Sequence, residues 1–124
     1  MASHMKESEA KRTHRDINRY HCPPFFEARV CGATLIEEQA KVEDISIRGL
    51  SIRTCCEFSP GSDVEIELKS NYLHPVKLQA RVRWVAPVEG SGSSRLVGCS
   101  IRKVGVIEWF RYMRVLSHLK KELW

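Results

Sequence analysis

Apolar and polar residues alternate with a period of two over much of this chain, as in the segment from Val76 to Trp84. Such alternation is typical of β-strands that bury one face. Glycine, proline, serine and asparagine separate the alternating segments and predict turns between them. A mainly β fold is therefore expected, a six-stranded antiparallel β-barrel. The predicted strands are residues 25–32, 39–46, 48–54, 63–69, 75–86 and 95–102.

The period changes near the end of the chain, where apolar residues recur every three or four positions. This spacing predicts an amphipathic C-terminal helix that packs on the barrel. The residues expected to face the barrel are Val106, Phe110, Met113, Leu116, Leu119 and Leu123.

A chain of 124 residues suffices for one hydrophobic core, so a single domain is expected. Residues 1–5 resemble a cloning scar. Residues 6–24 lack periodicity and end in Pro23-Pro24, which predicts a flexible N-terminal arm, and residues 25–124 form the barrel and helix. The longest apolar runs are only as long as strands, so a cytoplasmic protein without membrane insertion is expected.

The net charge of +5 indicates attraction to anions without identifying them. Lys77, Arg81 and Arg83 alternate with apolar residues along one predicted strand, so their charges are interpreted as a solvated face. Trp84 shares the phase of the apolar residues and is predicted to lie in the core. That placement argues against a base-stacking surface, and we do not expect a nucleic acid as partner.

Catalytic and metal-binding chemistry have little support in the sequence. The five cysteines include no Cys-x-x-Cys pair, and a reducing compartment would keep them as thiols. No nucleophile stands at a fixed spacing from a general base, and no paired carboxylates suggest acid–base catalysis. We therefore expect neither an enzyme, nor a metal site, nor a cofactor.

The segment from Asp44 to Gly49 carries the most specific chemistry. Strand alternation presents Asp44 and Ser46 on one face and directs Ile45 and Ile47 towards the core. Gly49 is expected to turn the chain back in a conformation of positive φ. A carboxylate accepts two hydrogen bonds from a guanine edge, and a hydroxyl beside it can donate or accept another.

Arginines precede this segment, at Arg15 and Arg19. A guanidinium binds phosphate or the O6/N7 edge of guanine with two hydrogen bonds and stacks on bases. The order Arg-x-x-x-Arg, then Asp-x-Ser-x-x-Gly, resembles the PilZ domain, a bacterial family of cyclic di-GMP receptors. The stretch Val97–Ile101 is similar to that family's late glycine-containing strand, and the likeness covers most of the chain from Lys11 on.

The resemblance implies a non-catalytic receptor for the second messenger cyclic di-GMP. Arg15 and Arg19 would contact phosphates and guanine from the arm, and Asp44 and Ser46 would read a guanine edge. Gly49 would keep the hairpin open for close approach of the ligand. Binding would order the arm, and an unidentified downstream protein would read the new arm position.

Two other functions stay open. The first is a protein-interaction module on a PilZ-like barrel that works without nucleotide. The second, less favoured, is a single-stranded nucleic-acid binder resembling the OB-fold.

The number of ligands is also open. In the resembling family, an arginine just before the first motif arginine favours an intercalated pair of ligands. His14 stands there in this chain, with Arg12 close by to supply a permanent charge. One and two ligands per chain are both compatible with the sequence, with a slight preference for two.

Overall fold

The computed structural model describes residues 19–23, 26–70, 73–90 and 92–122, except for the side chains of residues 121 and 122. Alternating sequence segments form the strands, and the three- and four-residue repeat forms the helix. The elements are β1 (Arg19–His21), β2 (Glu27–Cys31), β3 (Ile36–Ser46), β4 (Gly49–Thr54), β5 (Asp63–Lys69), β6 (Val76–Pro87), β7 (Arg95–Lys103) and α1 (Val106–Glu122).

The sheet closes into a barrel, because β4 at the end of the strand order pairs with β3 as well as with β7. All pairings are antiparallel, and the closed circuit runs β3-β2-β5-β6-β7-β4. The predicted six-stranded antiparallel barrel with a C-terminal helix is confirmed.

An additional strand, β1, lies within the segment 6–24 that was expected to be a flexible arm. It pairs with the end of β3, with Arg19 opposite Ser46 and His21 opposite Asp44. The other edge of this part of β3 pairs with β4, where Asp44 lies opposite Ser51. β1 and β2 therefore pair with the same edge of β3, β2 along its first part and β1 along its last part. The arm is attached to the barrel from Arg19 onwards.

Inward-facing apolar side chains fill the barrel as the alternation predicts. β6 is the clearest case, because every second residue from Val76 to Val82 is buried. Burial of such side chains is the main favourable contribution to folding. The other fully buried large side chains include Phe26, Val30, Val42, Ile45, Ile52, Ile66, Leu68, Tyr112 and Leu119.

Helix α1 packs on the barrel through a different row of residues from the one predicted. Leu116 and Leu119 are buried as expected, but Val106 and Phe110 are mostly exposed. Tyr112 and Val115 are buried in their place. The reason is that apolar residues occur on several sides of the helix, so the contact with the barrel selects the buried row. Leu123 lies outside the described residues.

Within the described ranges, no helix has the length and apolar character needed to cross a membrane. In the same part of the chain, no cluster of three or more histidine, cysteine, aspartate or glutamate residues could hold a metal ion. The cysteines are free thiols, and Cys99 lies in the core.

Candidate functional site

The Asp-x-Ser-x-x-Gly segment forms the junction between β3 and β4. Ser46 ends β3, and its hydroxyl donates to the carbonyl oxygen of Gly49 at 3.3 Å. The same Ser46 oxygen accepts a hydrogen bond from the backbone N–H of Arg48, also at 3.3 Å. These two bonds hold a tight turn from Ser46 to Gly49, which we call the motif turn.

Gly49 is required for a different reason from the one predicted. Its φ does not lie in the positive range, so the expectation of a left-handed conformation was wrong. Gly49 pairs with Ser100 of β7, and a Cβ at this position would overlap the carbonyl oxygen of Cys99. The close approach of β4 to β7 leaves no room for a side chain here.

Ile47 also differs from expectation. Ile45 is fully buried as predicted, but Ile47 is 45% exposed. The strand ends at Ser46, so the alternation that would have turned Ile47 inward stops one residue before it. Ile47 belongs to the motif turn and faces the outside of the barrel.

Arg19 and Asp44 come together across the β1–β3 pairing. A guanidinium nitrogen, Nη1 of Arg19, lies 3.5 Å from Oδ1 of Asp44. Both side chains are partly accessible, with exposed fractions of 39% for Arg19 and 20% for Asp44. The structure therefore joins one residue of each half of the predicted site, and both remain available to a ligand.

Trp84 does not lie in the core, so that prediction was wrong. A bulge in β6 places Val82 opposite Cys99 and Trp84 opposite Gly98, so two steps along β6 match one step along β7. The extra residue, Arg83, reverses the inside–outside phase. Trp84 is consequently 41% exposed. Its indole lies against Gly98, where a Cβ would overlap the ring.

These parts surround one open cleft on the outside of the barrel, with a volume of about 520 Å³. This volume lies in the range of small-molecule sites. β1, the motif turn, the bulge of β6 and the middle of β7 each contribute to its walls. The lining residues are Arg19, Ser46, Ile47, Arg48, Gly49, Leu50, Ser51, Arg83, Trp84, Gly98, Cys99 and Ser100.

The cleft is strongly basic. Arg19, Arg48 and Arg83 line it, and the described lining residues include no carboxylate. Arg83 is oriented by a hydrogen bond from its Nε to the hydroxyl of Ser100 at 2.8 Å. Asp44 is connected to the cleft through its ion pair with Arg19. An anionic ligand with a flat, stackable group matches this combination of guanidinium groups and an exposed indole.

Sequence reasoning missed three of the residues that define this cleft. Arg48 stands inside the motif, between Ser46 and Gly49, and its position there was a usable signal. Arg83 was interpreted only as part of a solvated face, and Trp84 was placed in the core because the bulge that turns it outward depends on the partner strand. Of the expected site residues, Arg12, His14 and Arg15 lie outside the described residues.

Beneath the motif turn lies a group of buried polar atoms. The hydroxyl of Tyr112, from α1, donates to the carbonyl oxygens of Ser46 and Gly49. Burial raises the pKa of Tyr112, and the nearby Cys22 adds to the effect. Burial likewise raises the pKa of Cys22 to about 12, with further contributions from Asp44 and Glu43. Both groups therefore stay neutral at physiological pH.

Comparison with known proteins extends these observations. The family model described as the PilZ domain matches residues 11–112. No curated protein matches the chain at a significant level.

Several solved structures share the fold. The structure of MrkH of K. pneumonia in complex with c-di-GMP matches with a TM-score of 0.72 at 18% identity, covering 85% of this chain and 52% of MrkH. The Bacillus subtilis inhibitor of motility, MotI/DgrA, gives 0.68 at 11% identity, covering 85% and 50%. This chain thus spans about half the length of both proteins.

A structure of similar extent is the PilZ domain of YcgR from Escherichia coli with c-di-GMP. It matches with a TM-score of 0.68 at 14% identity and covers 85% of this chain and 90% of that domain. At these identities the structural likeness shows the fold alone. The match of the family model over residues 11–112, which span both arginines and the whole motif turn, shows that the chain belongs to the PilZ domain family.

Proposed function

We propose that this protein is a non-catalytic receptor for cyclic di-GMP. The observation that carries the proposal is the cleft in which Arg19, Arg48 and Arg83 surround the motif turn beside the exposed indole of Trp84. Cyclic di-GMP presents two phosphodiesters and two guanines, so it offers anionic groups to the arginines and a flat ring to the indole.

The individual roles follow from chemistry and position. The arginines bind phosphate oxygens or the O6/N7 edge of guanine through paired N–H donors. Trp84 offers a stacking face, which contributes about 1–3 kcal/mol for a base on an aromatic ring. Asp44 and Ser46 read a guanine edge, and Gly49 permits the close backbone approach that shapes this wall of the cleft.

The arm supplies the remaining contacts. β1 pairs with the end of β3, and Arg19, its first residue, lines the cleft. Arg15 is only four residues earlier in the sequence. In the proposed mechanism the arm closes over the dianionic ligand, and charge-assisted hydrogen bonds offset the entropy lost on ordering. An unidentified downstream protein recognises the closed arm.

Relatives support the ligand assignment. The MrkH and YcgR structures contain c-di-GMP, and this chain shares their fold. It also carries both parts of the family signature, in Arg15, Arg19, Asp44, Ser46 and Gly49. A nucleotide-independent interaction module would have no need of this complete set.

A second candidate function is a single-stranded nucleic-acid binder. The exposed Trp84 in a basic cleft favours it, since stacking on aromatic rings and contact with phosphates are the features such binders use. The small volume of the cleft and the family signature favour the cyclic dinucleotide.

Calorimetric titration of the whole chain with cyclic di-GMP, GTP and a short single-stranded DNA separates these functions. We expect tight, saturable binding of cyclic di-GMP and much weaker binding of the other two. Binding of the oligonucleotide in preference would support the second function. If none of the three ligands binds, the nucleotide-independent interaction module would be the remaining function.

Arg19→Ala tests the site itself. Loss of a charge-assisted contact worth about 1.5–3 kcal/mol lowers affinity tenfold or more. Arg29→Ala is the matched control, because Arg29 pairs with Glu38 on β2 and β3, and neither residue lines the cleft. Equal affinity in both variants contradicts the site assignment.

Stoichiometry depends on the residues before Arg15. We propose two stacked ligands per chain, with Arg12 or His14 contacting the second ligand's phosphate. If His14 does so, binding tightens below its ordinary pKa of about 6.5, because the imidazolium adds a positive charge. Titrations at two pH values, with His14→Ala as control, test this. One ligand per chain in every case contradicts the pair.

A further inference from the structure

Tyr112 links the C-terminal helix to the motif turn. The residue is fully buried, and its hydroxyl donates to the carbonyl oxygens of Ser46 and Gly49, the latter at 3.3 Å. These two carbonyls are the first and last of the motif turn. A single side chain of α1 therefore contacts both ends of the turn.

We propose that Tyr112 is a positioning residue for ligand binding, holding the motif turn in its binding geometry through this hydroxyl. The inference rests on the proposed function, since it concerns the same cleft. It adds a residue from a distant part of the chain that does not line the cleft and belongs to neither half of the Arg-x-x-x-Arg and Asp-x-Ser-x-x-Gly signature.

The Ser46 hydroxyl carries a single proton. In the structure this proton points to the carbonyl oxygen of Gly49. One proton cannot bond fully to Gly49 and to a ligand on another side, so Ser46 must release Gly49 in order to donate to a ligand. A partly buried carbonyl left without a donor would make this rearrangement unfavourable.

Tyr112 lessens that cost. Its hydroxyl proton is shared between the carbonyl oxygens of Ser46 and Gly49, so the Gly49 oxygen, 3.3 Å from the Tyr112 oxygen, keeps a partial donor when Ser46 turns to the ligand. Burial keeps the phenol protonated by raising its pKa, so the donor is present throughout the physiological range. Arg48 stays in place as well, because its carbonyl oxygen accepts a bond from the backbone N–H of Ile101 of β7 at 2.8 Å.

The direct test compares Tyr112→Phe with Val115→Ala. The first change removes one oxygen and keeps the ring, while the second opens a small cavity at another buried position of α1. We expect Tyr112→Phe to weaken cyclic di-GMP binding about tenfold, since a buried carbonyl loses its donor. Val115→Ala should lower the melting temperature and leave affinity unchanged.

A second readout requires no ligand. The Ser46 and Gly49 carbonyls share peptide groups with the backbone nitrogens of Ile47 and Leu50. Loss of the Tyr112 hydroxyl should therefore shift the ¹⁵N resonances of Ile47 and Leu50 in Tyr112→Phe and not in Val115→Ala. Unchanged affinity or unchanged resonances in Tyr112→Phe overturn the proposal, as does an equal loss of affinity in both variants.

Should Tyr112→Phe fail to fold, spectra of the wild-type protein decide. The Tyr112 hydroxyl proton should exchange slowly with water both with and without cyclic di-GMP. Rapid exchange in the bound state overturns the proposal. If the wild-type protein does not bind cyclic di-GMP, the proposed function is wrong. If the wild-type protein binds and Tyr112→Phe binds equally well, only this inference is wrong.

Discussion

Gly49→Ala should destabilise the barrel, even though alanine is usually the better residue in a folded chain. Gly49 begins β4 and pairs with Ser100 on β7. An ideal Cβ at this position overlaps the Cys99 carbonyl oxygen and lies 3.0 Å from the Ser100 Cα. Both neighbours are backbone atoms of a paired strand, so they cannot rotate away as a flexible side chain could.

The magnitude follows from three contributions. Forcing a methyl group into a closely packed position costs about 1–3 kcal/mol. Separating β4 from β7 weakens at least one backbone hydrogen bond, at about 1 kcal/mol. The lower entropy of an unfolded chain with alanine offsets about 0.4–1 kcal/mol. The free energy of unfolding should therefore fall by about 1–3.5 kcal/mol, because the steric and hydrogen-bond costs together exceed the entropic gain.

Urea unfolding followed by circular dichroism measures this loss. Gly32→Ala is the matched control, because a Cβ there would have its nearest neighbours, Leu35 O and Phe58 Cε1, at an ordinary 3.5 Å. The control should change stability by less than about 1 kcal/mol. If Gly49→Ala unfolds at the same urea concentration as Gly32→Ala, close strand approach is not the reason for glycine at position 49.

Three further outcomes are expected. Gly98→Ala should displace the Trp84 indole, altering tryptophan fluorescence and weakening cyclic di-GMP binding, because the added Cβ overlaps the ring. Asp44→Ala should lower the free energy of unfolding in urea by less than about 1 kcal/mol, since the ion pair of Asp44 with Arg19 is partly exposed. In titrations, the same variant should show a smaller preference for cyclic di-GMP over other anions. Stability should fall as pH rises from about 9 to about 12. Burial raises the pKa of the Cys22 and Cys99 thiols to about 12 in the folded state, so they stay protonated there. The same thiols ionise in the unfolded chain over this range, which favours unfolding. Thermal melts across this range, compared with a Cys22→Ala variant that should show a shallower decline, check the last prediction.

The sequence by itself determined the six strands of the barrel, but not β1, together with the barrel class and the family signature. Alternation is a local property, so the buried row of β6 from Val76 to Val82 could be predicted without knowing its neighbours. The signature is likewise local, because Asp44, Ser46 and Gly49 are fixed by spacing within a single turn.

Only the tertiary structure decided which side chains reach the cleft. Trp84 faces outward because β6 contains one residue more than β7 at the bulge, and an alternation pattern in one strand carries no information about its partner. Helix α1 offered apolar residues on several sides, and contact with the barrel selected Tyr112 over Phe110. The hydroxyl beneath the motif turn and the basic cleft above it arise from residues far apart in the chain, so their meeting depends on closure of the barrel and docking of the helix.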